Sequence, residues 1–180
     1  MKATIVIPNI NGKGWLKDSI ESVYAQTEQD FELIIVDNGS TDESLEQARS
    51  YCGRPNFTLI ENGTNTGFSH AVNQGIARAR GEYVVMFNND AFAEPDWLAE
   101  LIRTAETDPK IFAVQSLMLR HFERELGRND GPVITSPGWA LLQDRRWPPG
   151  QPLHQAEAHL LGLRRRGALP QEHSGGDRHL

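Results

Sequence analysis

Apolar residues in the first two thirds of the chain form two kinds of run. Short β-branched runs, each ended by polar or turn-forming residues, predict buried strands at 3–7, 31–36, 57–61 and 83–87. Apolar residues with helical spacing predict helices over 15–26, after Thr41 or Asp42, over 68–80, and from Pro95. We expect Gly81 to end the third helix in a left-handed conformation. This alternation indicates an α/β domain with a mostly parallel sheet flanked by helices.

Polar residues follow three of the four predicted strands at the point where each strand ends. Asn9 and Asn11 follow the first strand, a run from 37 to 40 follows the second, and a run from 88 to 90 follows the fourth. Ligands of open parallel sheets bind beyond the carboxyl ends of the strands, so we expect these loops to converge along one edge. The sequence therefore predicts a ligand site at that edge.

Asp37 directly follows the second buried strand and allows two interpretations. Its carboxylate could accept a hydrogen bond from a pyrimidine imide N–H, with Gly39 allowing a tight turn beside it. The run Asn-Gly-Ser-Thr-Asp after it is also typical of a helix-capping turn that requires no ligand. Both interpretations stay open at the level of sequence.

The turn Asn88-Asn89-Asp90 closes the fourth strand and offers a carboxylate to a metal ion. Mg²⁺ and Mn²⁺ are commonly bound by one or two carboxylates together with substrate phosphate oxygens. Such a cation would bridge the two phosphates of a nucleotide and neutralise charge on a departing diphosphate. An Asn-Asn-Asp turn taken alone is weak evidence for a metal.

Composition and charge narrow the classes of partner. The net charge of −6 argues against nucleic acid, which requires clustered Lys and Arg, but it is compatible with a small anion held by a metal and backbone N–H groups. No stretch approaches the roughly 20 apolar residues of a membrane span, so we expect a cytoplasmic protein, with attachment to the inner face of the membrane left open. A Rossmann dehydrogenase is disfavoured because no Gly-x-Gly-x-x-Gly follows the first strand.

Four motifs in order resemble a known family. They are Ile-Val-Ile-Pro-Asn-Ile-Asn-Gly at 5–12, Ile-Ile-Val-Asp-Asn-Gly-Ser-Thr-Asp at 34–42, a block from Asn65-Thr66-Gly67-Phe68 to Gly81-Glu82-Tyr83, and Asn88-Asn89-Asp90 in the place of a metal-binding Asp-x-Asp. This pattern resembles the inverting family 2 glycosyltransferases, and the Asn-x-Asp variant is closest to their rhamnosyltransferase-like branch. The first position of Asp-x-Asp is not a carboxylate here.

The resemblance implies a GT-A (Rossmann-like) fold of which the chain holds the N-terminal, nucleotide-binding portion. It implies a dTDP- or UDP-linked sugar donor, and a hydroxyl acceptor on a glycan or glycolipid in the synthesis of cell-wall polysaccharide or glycolipid. It also implies that Asp37 contacts the nucleobase, that Asp90 binds Mg²⁺ or Mn²⁺, and that Asn88 binds ribose or metal. The remaining nucleotide-binding positions would be Pro8, Asn9, Asn11, Asn38, Gly39, Asn65, Gly67 and Asn73.

The end of the chain does not follow the family pattern. The family supplies its general base as a carboxylate well after Asp-x-Asp, and no acidic residue after Asp130 lies in a segment of the expected kind. Near Asp144 the composition changes, since six of the 18 Lys and Arg and four of the six His lie from there onward. We therefore expect 1–140 to be the nucleotide-sugar-binding portion and 141–180 to be an irregular, poorly packed tail, which out-of-frame translation would explain.

The missing base bears on the expected activity. An inverting transferase needs a carboxylate to take the proton of the acceptor hydroxyl. We therefore expect this chain to bind a nucleotide sugar without turnover. A non-catalytic nucleotide-binding module and a non-functional gene fragment are the alternatives.

Overall fold

A computed structural model of the protein describes residues 1–119 and 134–137. In chain order its elements are β1 (Ala3–Asn9), α1 (Leu16–Tyr24), β2 (Phe31–Asp37), α2 (Ser44–Arg49), β3 (Phe57–Glu61), α3 (Phe68–Arg78), β4 (Tyr83–Met86), α4 (Trp97–Ala105), β5 (Leu117–Leu119) and β6 (Ile134–Pro137). All four predicted strands and all four predicted helices are present. The predicted tail at 141–180 lies outside the described residues.

The first four strands form one parallel sheet in the order β3-β2-β1-β4. The parallel arrangement and the flanking helices confirm the predicted α/β class. The register pairs Asn9 with Asp37 and Asp37 with Glu61, so the last residues of β1, β2 and β3 lie side by side. β5 and β6 form a separate antiparallel pair, which the sequence analysis does not predict.

The sheet is buried on both faces, which explains why its strands are apolar runs rather than alternating ones. On one face, alternate residues of β1 and β2 pack against α1, α2 and α4 in the larger core. On the other face, Val6, Ile34 and Val36 pack with Ala71 of α3 in a smaller cluster. The central strands β1 and β2 therefore have helices packed on both faces of the sheet, which fixes the position of their carboxyl ends.

Each of the four helices begins or ends at a residue other than the one the sequence predicts. α1 covers Leu16–Tyr24 rather than 15–26. α2 begins at Ser44, after Glu43, while Asp42 accepts a hydrogen bond from the Ser44 N–H at 3.0 Å. α4 begins at Trp97 after Asp96, two residues beyond Pro95. α3 ends at Arg78, and the next residue, Ala79, is already extended.

The prediction that Gly81 is a left-handed helix cap is wrong. Gly81 is absent from the glycines with positive φ, which among the described residues are Gly39, Gly53, Gly63 and Gly67. The reason for a glycine at 81 is space, because a Cβ there would overlap the backbone of Ala3 and would lie 2.5 Å from the Thr4 nitrogen. Gly81 therefore allows the chain to enter β4 directly against β1.

Within the described residues, no helix combines the length and apolar character that crossing a bilayer would require.

Candidate functional site

Four loops at the carboxyl edge of the sheet form the candidate site, and we call them the rim. They are the loops after β1 (10–15), after β2 (38–43), after β3 (62–67) and after β4 (87–96). Nearly all sequence-predicted site residues lie on these loops or on the strand ends that lead into them. The exceptions are Pro8, half-buried within β1, and Asn73, half-buried on α3.

Asn9 is the central side chain of the rim and is 1% exposed. Its amide nitrogen lies 2.9 Å from Asp37 Oδ1, 3.1 Å from Ser40 Oγ and 3.0 Å from Ser44 Oγ. Its amide oxygen accepts a hydrogen bond from the Asn89 side chain at 2.9 Å. Both ends of this one amide are therefore used, one towards the loop after β2 and the other towards the loop after β4.

Asp37 holds the loop after β2. Its Oδ1 accepts from Asn9 and, at 2.6 Å, from the Ser40 hydroxyl, and its Oδ2 accepts from the backbone N–H groups of Gly39 and Ser40 at 3.2 and 3.0 Å. The carboxylate is 1% exposed and these four bonds occupy its main acceptor positions. The turn interpretation of Asp37 is thus visible in the geometry, while the nucleobase contact stays a prediction.

The turn after β2 requires a glycine at position 39. The φ of Gly39 is +83°, and a Cβ would stand 2.7 Å from the backbone of Thr64. The loop after β2 and the loop after β3 therefore touch without an intervening side chain.

Asn38 ties these same two loops together and is 4% exposed. Its oxygen accepts from the N–H and hydroxyl of Thr66 at 3.0 and 2.8 Å and from the Asn62 amide at 3.1 Å. Its nitrogen donates to Asn65 Oδ1 at 3.0 Å and to the Gly67 carbonyl at 3.3 Å. Asn38 therefore fixes the entry into α3, whose preceding residue Gly67 has a φ of +89° and whose start has no side-chain cap.

Asn11 shapes the loop after β1 from an exposed position. It adopts a left-handed φ of +51°, which Asn tolerates better than most residues. Its side-chain oxygen accepts from the Thr41 N–H at 2.8 Å, and its own N–H donates to Ser40 Oγ at 3.0 Å. The loops after β1 and β2 are thus joined at their tips as well as at their bases.

The loop after β4 carries the candidate metal ligands. Asn88 and Asp90 are exposed, and Asn89 between them is half-buried. Ser19, buried on α1, donates to the Asn88 carbonyl at 3.2 Å, and Asn89 donates to Asn9. Across the described residues, no three His, Cys, Asp or Glu side chains are grouped to hold a metal by themselves. One exposed carboxylate with a neighbouring amide oxygen fits a Mg²⁺ or Mn²⁺ ion whose remaining ligands are substrate phosphates and water.

A cleft of about 390 Å³ opens beside Asp37. Its lining residues are Asp37, Gly39, Ser40, Leu45, Arg49, Glu61, Asn62 and Gly63. The Arg49 guanidinium is hydrogen-bonded to both oxygens of Glu61, at 3.0 and 2.6 Å, and lowers the pKa of Glu61 below 4.5. The outer wall of the cleft is therefore an ion pair at neutral pH.

The structure brings most of the predicted site residues into one connected set. Direct hydrogen bonds join Asn9 to Asp37 and Asn38 to the loop containing Asn65 and Gly67, and Asn89 joins the loop of Asn88 and Asp90 to Asn9. The contributions missed by sequence reasoning are those of Ser19, Ser40, Ser44, Asn62 and Asn89. Ser40 and Asn89 lie inside the motifs at 34–42 and 88–90. Ser19 lies in none of the motifs, because it contacts the rim from α1.

Comparisons with known proteins identify the family of this chain. The family model described as "Glycosyl transferase family 2" matches residues 4–165. A glucosyl-dolichyl phosphate glucuronosyltransferase of Haloferax volcanii is 32% identical over 116 residues, which are 63% of this chain and 37% of that protein. The chain spans about a third of the length of the curated relatives it matches.

Two solved structures resemble this fold. The mannosyltransferase PcManGT from Pyrobaculum calidifontis, in complex with GDP-Man and Mn²⁺, has a TM-score of 0.60 and 28% identity, over 69% of this chain and 38% of that one. TarS 1-349 of S. aureus, in complex with UDP-GlcNAc, has a TM-score of 0.55 and 24% identity, over 59% of this chain and 31% of that one. The second likeness concerns the fold alone.

Proposed function

The chain belongs to glycosyl transferase family 2, and from that premise we propose that its rim binds the nucleotide-diphosphate part of a sugar donor. The observation that carries the proposal is the hydrogen-bonded path from Asp37 through Asn9 to Asn89. It joins the loop proposed for the nucleobase to the loop proposed for the metal at one edge of the sheet. Two ends of one elongated ligand can therefore be held by loops that are fixed relative to each other.

In this proposal the nucleoside lies at the loops after β1, β2 and β3. The base-and-ribose pocket consists of Pro8, Asn9, Asn11, Asn38 and Gly39, with Asp37 at its floor. Because the carboxylate of Asp37 already accepts four hydrogen bonds, a base N–H reaches it when the Ser40 hydroxyl turns away. Asp37 and Gly39 also line the cleft of about 390 Å³, which is of the size in which small ligands bind.

The diphosphate lies between α3 and the loop after β4. Asn65, Gly67 and Asn73 form its wall, and the first turn of α3 carries no acidic residue that would repel it. Asp90 and Asn88 hold Mg²⁺ or Mn²⁺ on the other side, in keeping with the Mn²⁺ and GDP-Man of the Pyrobaculum mannosyltransferase. When bound, the cation offsets the negative charge that builds up on the departing diphosphate.

The transfer proposed for the complete protein is inverting. An acceptor hydroxyl oxygen attacks the anomeric carbon, the bond from that carbon to the diphosphate oxygen breaks, and a carboxylate base takes the hydroxyl proton. We assign the donor to the dTDP- or UDP-sugars, with rhamnose as the sugar, and the acceptor to a glycan or glycolipid hydroxyl. No acidic residue after Asp130 lies in a segment of the kind that supplies this base, and we expect this chain to bind donor without turnover.

We further propose that residues 141–180 are translated out of frame. The support is the change in composition near Asp144 and the missing base segment. The family match continues past this point, to residue 165. The coding DNA decides the matter, because its neighbouring frame downstream of Trp139 should encode a small-residue run followed by an amphipathic helix.

Calorimetric titration tests the nucleotide proposal directly. UDP, dTDP and GDP are added to the full 180-residue chain with and without Mn²⁺, and the expected result is saturable binding of UDP or dTDP that Mn²⁺ strengthens. Asp90→Ala should remove the Mn²⁺ effect, because the only carboxylate of the proposed metal site is lost. Binding of none of the three nucleotides would contradict the proposal and favour a non-functional fragment. Adding a nucleotide sugar and an acceptor to the chain and measuring release of nucleoside diphosphate separates a transferase from a binding module.

A further inference from the structure

The loop after β4 is held to the first strand–helix unit by two hydrogen bonds. Asn89 donates its side-chain N–H to Asn9 Oδ1 at 2.9 Å, and Ser19 donates to the Asn88 carbonyl at 3.2 Å. Asn89 is half-buried between two exposed residues, Asn88 and Asp90. Of the three residues in the turn, the middle one is therefore the one whose side chain is anchored to β1.

Asn9 connects the loop after β4 to the loop after β2 on the opposite side of the rim. Its amide oxygen receives the bond from Asn89 and its amide nitrogen lies in hydrogen-bonding distance of Asp37, Ser40 and Ser44. An amide group is a rigid plane, so a displacement at its oxygen end displaces its nitrogen end. Because Asn9 is 1% exposed, water cannot readily replace these bonds.

Gly12 shows how closely this bond is enclosed. A Cβ at position 12 would overlap Asn9 Oδ1 and would lie 2.5 Å from Asn89 Nδ2, and φ at Gly12 is not in the left-handed region. The requirement for glycine there is therefore steric, and it is set by the Asn9–Asn89 hydrogen bond. The loop after β1 closes directly over the link.

We propose that Asn89 is a positioning residue that holds the loop of Asp90 in register with Asp37 through Asn9, and so couples cation binding to nucleotide binding. The inference rests on the proposed function and deepens it. Without the Asn89 bond, Asp90 keeps its charge but its loop is no longer fixed to the nucleoside side of the rim. The two ligands then bind more nearly independently, which removes the coupling free energy between them.

The test measures coupling rather than activity. The dissociation constant of UDP is determined calorimetrically for the full chain with and without Mn²⁺, and the ratio of the two constants is the Mn²⁺ enhancement. In Asn89→Ala we expect this enhancement to fall by about tenfold, the lower range found when groups that orient a metal ligand are removed. Because the enhancement is a ratio within one variant, a uniform weakening of UDP binding cancels in it.

Gln74→Ala is the matched control. It removes an amide of α3 that is bonded to the rim, since its nitrogen donates to Asn62 at 2.8 Å and its oxygen accepts from Asn62 at 2.7 Å, away from the loop of Asp90. We expect it to leave the Mn²⁺ enhancement unchanged. Gly12→Ala is the second variant, because it disturbs the same hydrogen bond without altering either amide, and it should lower the enhancement as Asn89→Ala does.

The outcomes separate this inference from the function on which it rests. An Asn89→Ala chain with the full wild-type enhancement overturns the positioning role, and so does an equal loss in Gln74→Ala or a wild-type chain that binds UDP with no Mn²⁺ enhancement. Failure of the wild-type chain to bind any nucleotide overturns the proposed function itself. A thermal melt of each variant, similar to that of the wild type, shows that the compared chains are folded.

Discussion

At the scale of single residues, the buried polar side chains of the rim hydrogen-bond to one another and hold its loops in place. Asp37, Asn38 and Asn9 are all nearly inaccessible, and the side chain of each has four or five hydrogen-bond partner atoms within the protein, with the two N–H groups of Asn9 shared among three acceptors. Buried polar networks of this kind fix a single arrangement because every member has its partners. These three side chains are therefore already fixed by the protein itself, which would lower the ordering cost of the nucleotide binding proposed for the rim.

Asp37 gives the sharpest residue-level prediction. Asp37→Ala should reduce the free energy of unfolding by about 3 kcal/mol, because the part-buried N–H groups of Gly39 and Ser40 lose their acceptor and the buried Asn9 amide loses one of its three. Asp37→Asn should cost nearly as much, since both oxygens accept from donors and an amide N–H₂ would face donors at one of them. Urea unfolding monitored by circular dichroism measures both, and an Asn variant as stable as the wild type would contradict this role.

The sequence reveals the residue types at the rim but not their partners. Asp37 at the end of a buried run, followed by Asn-Gly-Ser, predicts a polar turn at a strand end, and that turn is present. The link from Asn9 to Asn89 could not be predicted, because it depends on the pairing of β1 with β4 across 80 residues of chain. The same is true of Ser19, whose hydroxyl reaches the rim only through the packing of α1.

At the scale of elements, the strands were easy to predict and the connections were not. Strands β1 and β2 are continuous apolar runs because both faces of the sheet are covered, and such runs are visible in a single sequence. The sequence predicts a left-handed cap at Gly81 because a glycine after a helix usually adopts that conformation. Here a glycine is needed because position 81 packs against the backbone of β1, a contact that arises only when β4 pairs with β1.

Replacing glycines distinguishes these two reasons. Gly81→Ala should cost about 3 kcal/mol, since the new Cβ meets the backbone of Ala3 and Thr4, which cannot move aside without disturbing the sheet. Gly63→Ala should cost about 1 kcal/mol, because it faces open space and only its φ of +68° is unfavourable for alanine. Thermal or urea unfolding ranks the two variants, and the reverse order would mean that Gly81 is held by backbone conformation.

The connection from α3 to β4 is also secured electrostatically, by Glu32 of β2. The carboxylate is 1% exposed and accepts from Thr4 Oγ1 at 2.7 Å, from the Arg80 N–H at 2.6 Å and from the Arg80 guanidinium at 2.8 Å. Burial raises the pKa of Glu32, but the hydrogen bonds from Arg80 and Thr4 outweigh it, so the pKa lies below 4.5. The charged carboxylate therefore belongs to the folded state.

This arrangement predicts a pH dependence of stability. Because the pKa of Glu32 is lower in the folded than in the unfolded chain, its contribution is complete above pH 4.5 and is lost as the pH falls through the folded pKa. Unfolding free energies measured from pH 6 down to about pH 3 should fall less steeply in Glu32→Gln than in the wild type. Parallel curves for the two proteins would show that Glu32 does not contribute to acid sensitivity.

At the scale of the whole molecule, the described residues form a four-stranded parallel sheet with the proposed donor site at its carboxyl edge. One face of the sheet carries α1, α2 and α4, the other carries α3, and the four loops at the carboxyl edge are linked by side-chain hydrogen bonds. The chain spans about a third of its curated relatives. Nucleotide binding is therefore the part of the proposed function that experiments on this chain test first.

The most direct test of the account is amide NMR of the full chain titrated with UDP and then with Mn²⁺. UDP should shift the resonances of 9–12, 37–40 and 64–67, and paramagnetic Mn²⁺ should broaden 88–90 first. Nearly all these residues lie on the rim, so both sets of changes should appear at one edge of the sheet. Shifts confined to the opposite edge, around Arg54 and Arg80, or broadening remote from Asp90, would contradict the account.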